Sequence, residues 1–238
     1  MPKTTATVAR SIFWISALSL AVLGAAWKIQ DTNPRRTPGP CVAVTLDDGP
    51  SPTYTDLFLK LLAHYKIRAT FFFNGTAIEH FPAIAARVVA AGHEIGNHTW
   101  SHTALRWKTP RFATEEILRT DRAIRAVGYG DTIPFRAPFG QILGGHLLAL
   151  WKMGRRNILY DVEPRPADYF RENPSAIARS ALERVQPGSI LLLHDGQGIR
   201  SESLEAAAII FPALKKRGFC FATVGELFSP PHQRAHPP

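Results

Sequence analysis

Two adjacent carboxylates, Asp47 and Asp48, end an apolar run from Val42 to Leu46 and are followed at once by Gly49-Pro50. Two like charges side by side repel each other, so the pair is costly unless a cation or a shared proton relieves the repulsion. Such pairs are also common in surface turns. The pattern by itself therefore indicates either a solvated turn or an acid–base site that holds a cation.

Histidine and arginine side chains elsewhere could join these carboxylates. His98 and His102 lie four residues apart, a spacing that lets both imidazoles bind one metal ion from a helical turn or a tight loop. Imidazole suits zinc and its neighbours, and a carboxylate would complete three protein ligands while leaving positions for water. His194 follows the apolar run Ile190–Leu193 and is either a general acid or a core histidine bonded to backbone. Arg136 could hold a carboxylate through paired donors or form a surface salt bridge.

These residues follow segments that alternate in type along the chain. Seven segments have strand character: Cys41–Asp48, Arg68–Phe73, Glu94–Thr99, Ile133–Phe139, Asn157–Glu163, Gly188–Asp195 and Phe219–Val224. Six have helical spacing or start signals: Thr53–Tyr65, Pro82–Ala91, Thr114–Val127, His146–Met153, Pro174–Val185 and Glu202–Arg217. This alternation predicts an α/β fold with a parallel sheet under helices, either closed into a barrel or left open. Both arrangements gather functional residues at the C-terminal strand ends, where five of these strands carry the acids, histidines and arginine.

The N-terminal residues differ in kind from the rest of the chain. Lys3 and Arg10 precede a charge-free apolar stretch at residues 11–27, and a cleaved signal peptide and an uncleaved membrane anchor fit it equally. Residues 28–40 are predicted to be a linker, because they are rich in proline and polar residues. The folded domain is then expected at residues 41–229, followed by a flexible tail at 230–238. The protein is expected to be exported and to be periplasmic, extracellular or anchored to the outer face of the cytoplasmic membrane.

The composition limits the classes of partner. The net charge of +9 would draw an exported domain to anionic surfaces such as cell-wall polymers or lipid headgroups. Nucleic acid is not expected as a partner, because the charges are scattered and no nucleic-acid-binding motif accompanies them. The two cysteines, Cys41 and Cys220, could form a disulfide after export, but the sequence does not show that they meet.

Five short motifs, in order, make the chain resemble the polysaccharide deacetylases with the NodB homology domain, carbohydrate esterase family 4. The resemblance extends from about Cys41 to Leu227. Thr45–Pro50 resembles TFDDGP with leucine in place of phenylalanine, and His98–His102 matches H-S/T-x-x-H. Arg136–Phe139 resembles R-x-P-Y, Asp161–Tyr169 stands at the fourth motif, and Leu191–Asp195 matches the fifth. The family implies a distorted (β/α)7 barrel. The protein is expected to be a monomer.

The resemblance also implies a role for each matching residue. Asp47 would be the general base, oriented by Arg136, and His194 would protonate the leaving amine. The metal ligands would be Asp48, His98 and His102. The backbone N–H of Phe139 would stabilise the oxyanion, and Leu192 would line the pocket for the acetyl methyl. In the fourth motif, which departs most from the family pattern, Asp168 is the expected partner of His194 and Tyr169 the groove aromatic, with Asp161 and Glu163 as competitors for the partner role.

The expected activity is hydrolytic N-deacetylation of glycans that contain N-acetylglucosamine, such as peptidoglycan, chitin or chitooligosaccharides. The cofactor would be a divalent metal, with Zn²⁺ expected and Co²⁺, Mn²⁺ or Ni²⁺ compatible with the same ligands. Membrane association would occur through residues 11–27. The alternatives are hydrolysis of another amide or ester, such as a cyclic imide or acetylxylan, and a non-catalytic glycan-binding pseudoenzyme at the cell surface.

Overall fold

The structure, a computed structural model, describes residues 30–31, 39–163, 173–198 and 200–229. In those ranges the strands are β1 (Gln30–Asp31), β2 (Cys41–Asp47), β3 (Thr70–Phe73), β4 (Glu94–Asn97), β5 (Asn157–Ile158), β6 (Ile190–His194) and β7 (Cys220–Ala222). The helices are α1 (Thr55–His64), α2 (Gly75–His80), α3 (Pro82–Ala90), α4 (Pro110–Ala126), α5 (Gly145–Lys152), α6 (Pro174–Arg184), α7 (Ser201–Lys216) and α8 (Val224–Phe228). A short 3-10 turn covers Pro138–Gly140.

Strand β2 is the centre of a parallel sheet. It pairs with β3 on one side and β6 on the other, and β7 pairs with its first residues. Strand β4 extends the sheet beyond β3. Single bridges then link β4 to Phe135 and Phe135 to β5, and a further bridge links Val162, which follows β5, to β6. The result is a distorted barrel with helices outside it, which confirms the predicted α/β fold. The register sets Asp47 beside His194, so their side chains share one end of the barrel.

Alternation along β2 separates the two sides of the sheet. Val42, Val44 and Leu46 join the main apolar core between the strands and the helices. The intervening residues face the barrel interior, because successive side chains of a strand point to opposite faces. The side chain of Arg136 fills that interior, where its guanidinium lies 4.1 Å above the ring of Phe72. Because the residues alternating with Asp47 along β2 pack on the apolar core, the side chain of Asp47 faces the barrel interior.

Some predicted elements have different bounds. The predicted strand Ile133–Phe139 is reduced to bridges at Phe135, because Pro134 and Pro138 have no N–H to donate to a ladder. The predicted helix at Thr114 begins earlier, at Pro110, where proline occupies the first turn and the Thr109 hydroxyl accepts from the N–H of Phe112. Helices α2 and α8 were not predicted.

Part of the predicted linker at residues 28–40 is paired. Strand β1 lies inside it and pairs in parallel with β5, through Gln30 with Asn157 and Asp31 with Ile158. The apolar stretch at residues 11–27, the tail at 230–238, Asp168 and Tyr169 lie outside the described residues. Within the described ranges, no helix has the length and apolar character needed to cross a membrane.

Cys41 and Cys220 form a disulfide between the first residues of β2 and β7. The register places the two cysteines opposite each other, so strand pairing brings them together. The bond links residues separated by 179 positions, and it therefore joins the two ends of the barrel sequence. A disulfide of this kind persists in oxidising compartments, in agreement with an exported protein.

Removal of this disulfide is expected to lower the free energy of unfolding by about 3–5 kcal/mol, because the bond restricts a very long loop in the unfolded chain. The test is urea unfolding of the double variant Cys41→Ser/Cys220→Ser without reductant. Dithiothreitol should reproduce the loss in the unmodified protein and should not change the double variant. An unchanged midpoint in the double variant would contradict the expectation.

Candidate active site and metal centre

Three side chains converge at the C-terminal end of the barrel. Oδ1 of Asp48 lies 3.0 Å from Nε2 of His102 and 3.6 Å from Nε2 of His98. One ligand atom from each residue lies within 4.8 Å of the other two. Asp48 and His98 are buried, and His102 is half-buried beside the opening. The three residues that were predicted to bind a metal therefore lie together at the C-terminal end of the barrel.

The donor atoms of this cluster fit a divalent ion. Oδ1 of Asp48 is buried and has no hydrogen-bond partner beyond its contact with His102, which is costly for a carboxylate oxygen unless a cation faces it. Nδ1–H of His98 donates to the carbonyl of Arg136 at 2.9 Å, so Nε2 keeps its lone pair towards Asp48. One carboxylate and two imidazoles form a donor set that suits zinc and similar ions.

The ionisation of the cluster agrees with ligand roles. Burial alone would raise the pKa of Asp48, but the imidazoles of His102, His98 and His194 outweigh it and lower the pKa to about 2. Burial lowers the pKa of His98, although Asp47 and Asp48 act against it. A carboxylate that stays ionised and an imidazole that stays neutral are the forms that bind metal.

Asp47 faces the same space and is held from behind by Arg136. Oδ1 of Asp47 accepts from NH1 of Arg136 at 2.7 Å, while Oδ2 lies 3.7 Å from Nε2 of His98. The fully buried guanidinium also donates to the Thr45 hydroxyl at 2.8 Å and to the carbonyls of Ile158 and Leu159. With these bonds, the orientation of Arg136 and therefore of Asp47 is fixed. The contact predicted between the two residues is present.

His194 ends β6 and lines the same cavity as Asp47, together with Leu192. Of the competing acids, Asp161 accepts from the Ser189 hydroxyl and the N–H of Ile190, at the start of β6. His194 is at the other end of that strand, so Asp161 is not placed to support it. Glu163 lines the cavity with His194 and stays a candidate for its partner.

Sequence reasoning assigned no role to three residues at this site. Tyr160 follows β5 and lines the cavity, with burial raising the pKa of its hydroxyl to about 12. Arg200 is buried, and its NH2 lies 3.7 Å from Oδ2 of Asp48. Burial raises the pKa of Asp195 to about 7, and its carboxylate accepts from the Thr55 hydroxyl at 2.5 Å. Asp195 could have been found, because it ends the predicted strand Gly188–Asp195, whereas Tyr160 lies in the middle of the predicted strand Asn157–Glu163.

The backbone of the site is strained at several residues. Asp48, Thr99, His102 and Phe139 have φ values of 76°, 69°, 53° and 60°, in the left-handed region that favours glycine. Such conformations cluster at functional sites, where the surrounding structure holds them. The ring of Phe139 is exposed and lies 4.7 Å from the imidazole of His102.

Two cavities meet at the cluster. One, of about 290 Å³, contains Asp47, His194, Phe139, Tyr160 and Leu192. The other, of about 520 Å³, is lined by His80 of α2 and by Asn74 and Phe81, which flank that helix. Asp48 and His102 line both. Cavity space therefore adjoins Asp48 and His102 on two sides, and the two cavities together are termed here the groove.

Comparison with known proteins identifies relatives over most of the chain. The family model described as polysaccharide deacetylase matches residues 34–158. A peptidoglycan-N-acetylglucosamine deacetylase from Bacillus cereus is 35% identical over 191 residues, covering 80% of this chain and 89% of that protein. A chitooligosaccharide deacetylase from Sinorhizobium fredii is 36% identical over 200 residues, covering 79% and 92%. A crystal structure of a peptidoglycan N-acetylglucosamine deacetylase superposes with a TM-score of 0.77 and 29% identity, covering 84% and 92%.

Proposed function

The chain belongs to the polysaccharide deacetylase family, and from that membership we propose that it hydrolyses the acetamido group of N-acetylglucosamine units in a glycan, releasing acetate. The observation that carries the proposal is one cavity in which Asp48, His98 and His102 lie beside Asp47 and His194. A glycan-binding protein has no need of all five groups.

Asp48, His98 and His102 would hold the divalent ion. When bound, such an ion supplies Lewis-acid polarisation of the amide carbonyl and acidifies a water molecule. Asp47 accepts the proton of the attacking water, since Arg136 keeps its carboxylate oriented towards the cluster. The N–H of Phe139 donates to the carbonyl oxygen as negative charge develops there.

His194 completes the reaction by donating a proton to the departing nitrogen. The C–N bond then breaks, and the products are acetate and the free amine of the sugar. Its place beside Asp47 across β2 and β6 brings the base and the acid to the same cavity. Leu192 supplies an apolar wall of the same cavity, which is suited to the acetyl methyl group.

The groove on both sides of the cluster supports a polymeric or oligomeric substrate rather than a small amide. The two named relatives act on peptidoglycan and on chitooligosaccharides, and both are candidate substrates here. The disulfide supports an exported protein, and export would place the enzyme where cell-wall glycans are found.

The proposal is tested by acetate release from chitooligosaccharides, peptidoglycan and acetylxylan. A cyclic imide is the small-amide comparison, and its hydrolysis is followed by ring opening because it releases no acetate. Protein stripped with a chelator should be inactive, and Zn²⁺, Co²⁺, Mn²⁺ and Ni²⁺ should each be tried for recovery. Acetate from the N-acetylglucosamine substrates supports the proposal, whereas turnover of the imide alone favours the other amide hydrolase. Glycan binding without turnover by metal-loaded protein would instead identify a pseudoenzyme.

A further inference from the structure

The exposed apolar side chains of the described residues are concentrated in one region. Of the ten that are large and exposed, six lie in the loop before α4 or between the 3-10 turn and the end of α5: Trp107, Phe139, Ile142, Leu143, Leu148 and Trp151. Trp107 is 89% exposed and Trp151 is 61% exposed, which is unusual for the largest apolar side chain. The mechanism proposed above uses only Phe139 of this set.

Five of these residues, without Phe139, and the cations next to them are termed here the α5 surface, made by residues 106–108 and by Ile142, Leu143, Leu148, Trp151 and Lys152. Leu148, Trp151 and Lys152 share a helical face by their spacing. The opposite face of α5 is buried against α4 through Ala149 and Leu150. The loops at the start of α5 touch each other, since the N–H of Leu105 donates to the side chain of Gln141 at 2.6 Å.

The charge of this region has a single sign. Residues 104–112 and 139–156 contain six lysines and arginines and no aspartate or glutamate. Arg111 and Arg155 pair with acids of α4, and Arg106 lies over the ring of Trp107. An apolar surface with cations at its edge is complementary to a partner that has both negative charges and an apolar interior.

We propose that the α5 surface docks on a bilayer that contains anionic phospholipids. Tryptophan with leucine, lysine and arginine is the composition of segments that lie in a membrane interface. Exposed leucine and isoleucine side chains offer no hydrogen bonds to a hydrated anionic glycan. The same side chains can be buried among the acyl chains of a bilayer.

The path of the chain gives a second, independent argument. Strand β1 pairs with β5, which follows α5 after a short turn, so Gln30 lies beside Asn157. The apolar stretch at residues 11–27 ends just before Gln30 in the sequence. A chain anchored by that stretch would leave the bilayer on the side of α5, where the α5 surface meets the same membrane. Docking would hold the groove at a fixed height above the bilayer.

The test uses the full chain in vesicles of phosphatidylglycerol and phosphatidylcholine, with an environment-sensitive dye on Leu148→Cys or, as the control, Leu57→Cys. Both native cysteines are in the disulfide, so the new thiol alone is labelled. Leu148 and Leu57 are 44% and 40% exposed, and Leu57 lies on α1, which packs against α3 and α7. We expect nitroxide lipid to quench the dye at Leu148 at least about threefold more strongly than the dye at Leu57.

The charge dependence provides a second readout. Lys108→Glu/Lys152→Glu should reduce the difference between the two labels to about that seen in pure phosphatidylcholine. The same variant should retain acetate release from a soluble chitooligosaccharide, which separates lost docking from misfolding. Equal quenching of the two labels would overturn the proposal. A response of the Leu148 label to soluble polygalacturonate, and not to vesicles, would also overturn it and would assign the surface to an anionic glycan.

Discussion

Replacement of Asp48 by asparagine is expected to abolish tight binding of a divalent metal and to lower kcat/KM for deacetylation by at least about three orders of magnitude. Asp48 is the carboxylate of the three-residue cluster, and its Oδ1 faces the two imidazoles at 3.0 and 3.6 Å. An amide in its place offers the ion a neutral oxygen, so the charge that offsets the cation is lost. The site is then left with two neutral imidazoles.

Asparagine is preferred to alanine because Asp48 has a φ of 76°. Asparagine adopts the left-handed region more readily than alanine does, so the variant keeps the loop and isolates the effect of charge. Asp48→Ala should give the same loss together with a loss of stability. Asp56→Asn is the matched control, since Asp56 is a half-buried aspartate away from the cluster whose partner is Arg87.

Metal content after equilibrium dialysis and acetate release should be measured on the same samples. The control should match the unmodified protein in both. If Asp48→Asn bound metal with unchanged affinity, the ligand assignment would be wrong even if the activity were low. If it lost metal and kept turnover, the proposed reaction would be wrong instead.

The convergence of Asp48, His98 and His102 could be predicted because it depends on simple periodicities. Strand–helix alternation predicts parallel strands, and parallel strands place their final residues at one end of the barrel. The disulfide could not be predicted in this way, because it depends on the pairing of β7 with β2 rather than on either segment alone. Strand order is a property of the whole chain.

Other features of the site have no local signal in the sequence. Thr99 and His102 adopt positive φ values although neither is glycine, and only the loop around them requires this conformation. Arg200 reaches Asp48 from the loop after β6, and its sequence neighbours do not distinguish it from a surface arginine. Residues held by long-range contacts were missed because the tertiary surroundings outweigh the local pattern. The strand predicted at Ile133–Phe139 is reduced to bridges for a local reason, since Pro134 and Pro138 have no N–H to donate.

Arg136→Met is expected to lower both stability and turnover, and the two losses have separate causes. The free energy of unfolding should fall by about 3–5 kcal/mol, because the buried carboxylate of Asp47 loses its cation. The Thr45 hydroxyl and the carbonyls of Ile158 and Leu159 lose donors as well. The value of kcat should fall by about a hundredfold, since a displaced Asp47 no longer faces the reacting water. KM should change little, because Arg136 lies behind Asp47 and away from the groove.

A double-mutant cycle with Asp47→Asn separates the two effects. Turnover of Asp47→Asn/Arg136→Met should equal that of Asp47→Asn alone, because Arg136 acts on the reaction through Asp47. The double variant should be more stable than Arg136→Met, since no unpaired carboxylate is then buried. Arg155→Met is the control, because it breaks the partly buried pair with Asp121 and should cost stability without changing kcat. Independent, multiplying losses in kcat would show that Arg136 contacts the substrate itself, and the positioning role would have to be abandoned.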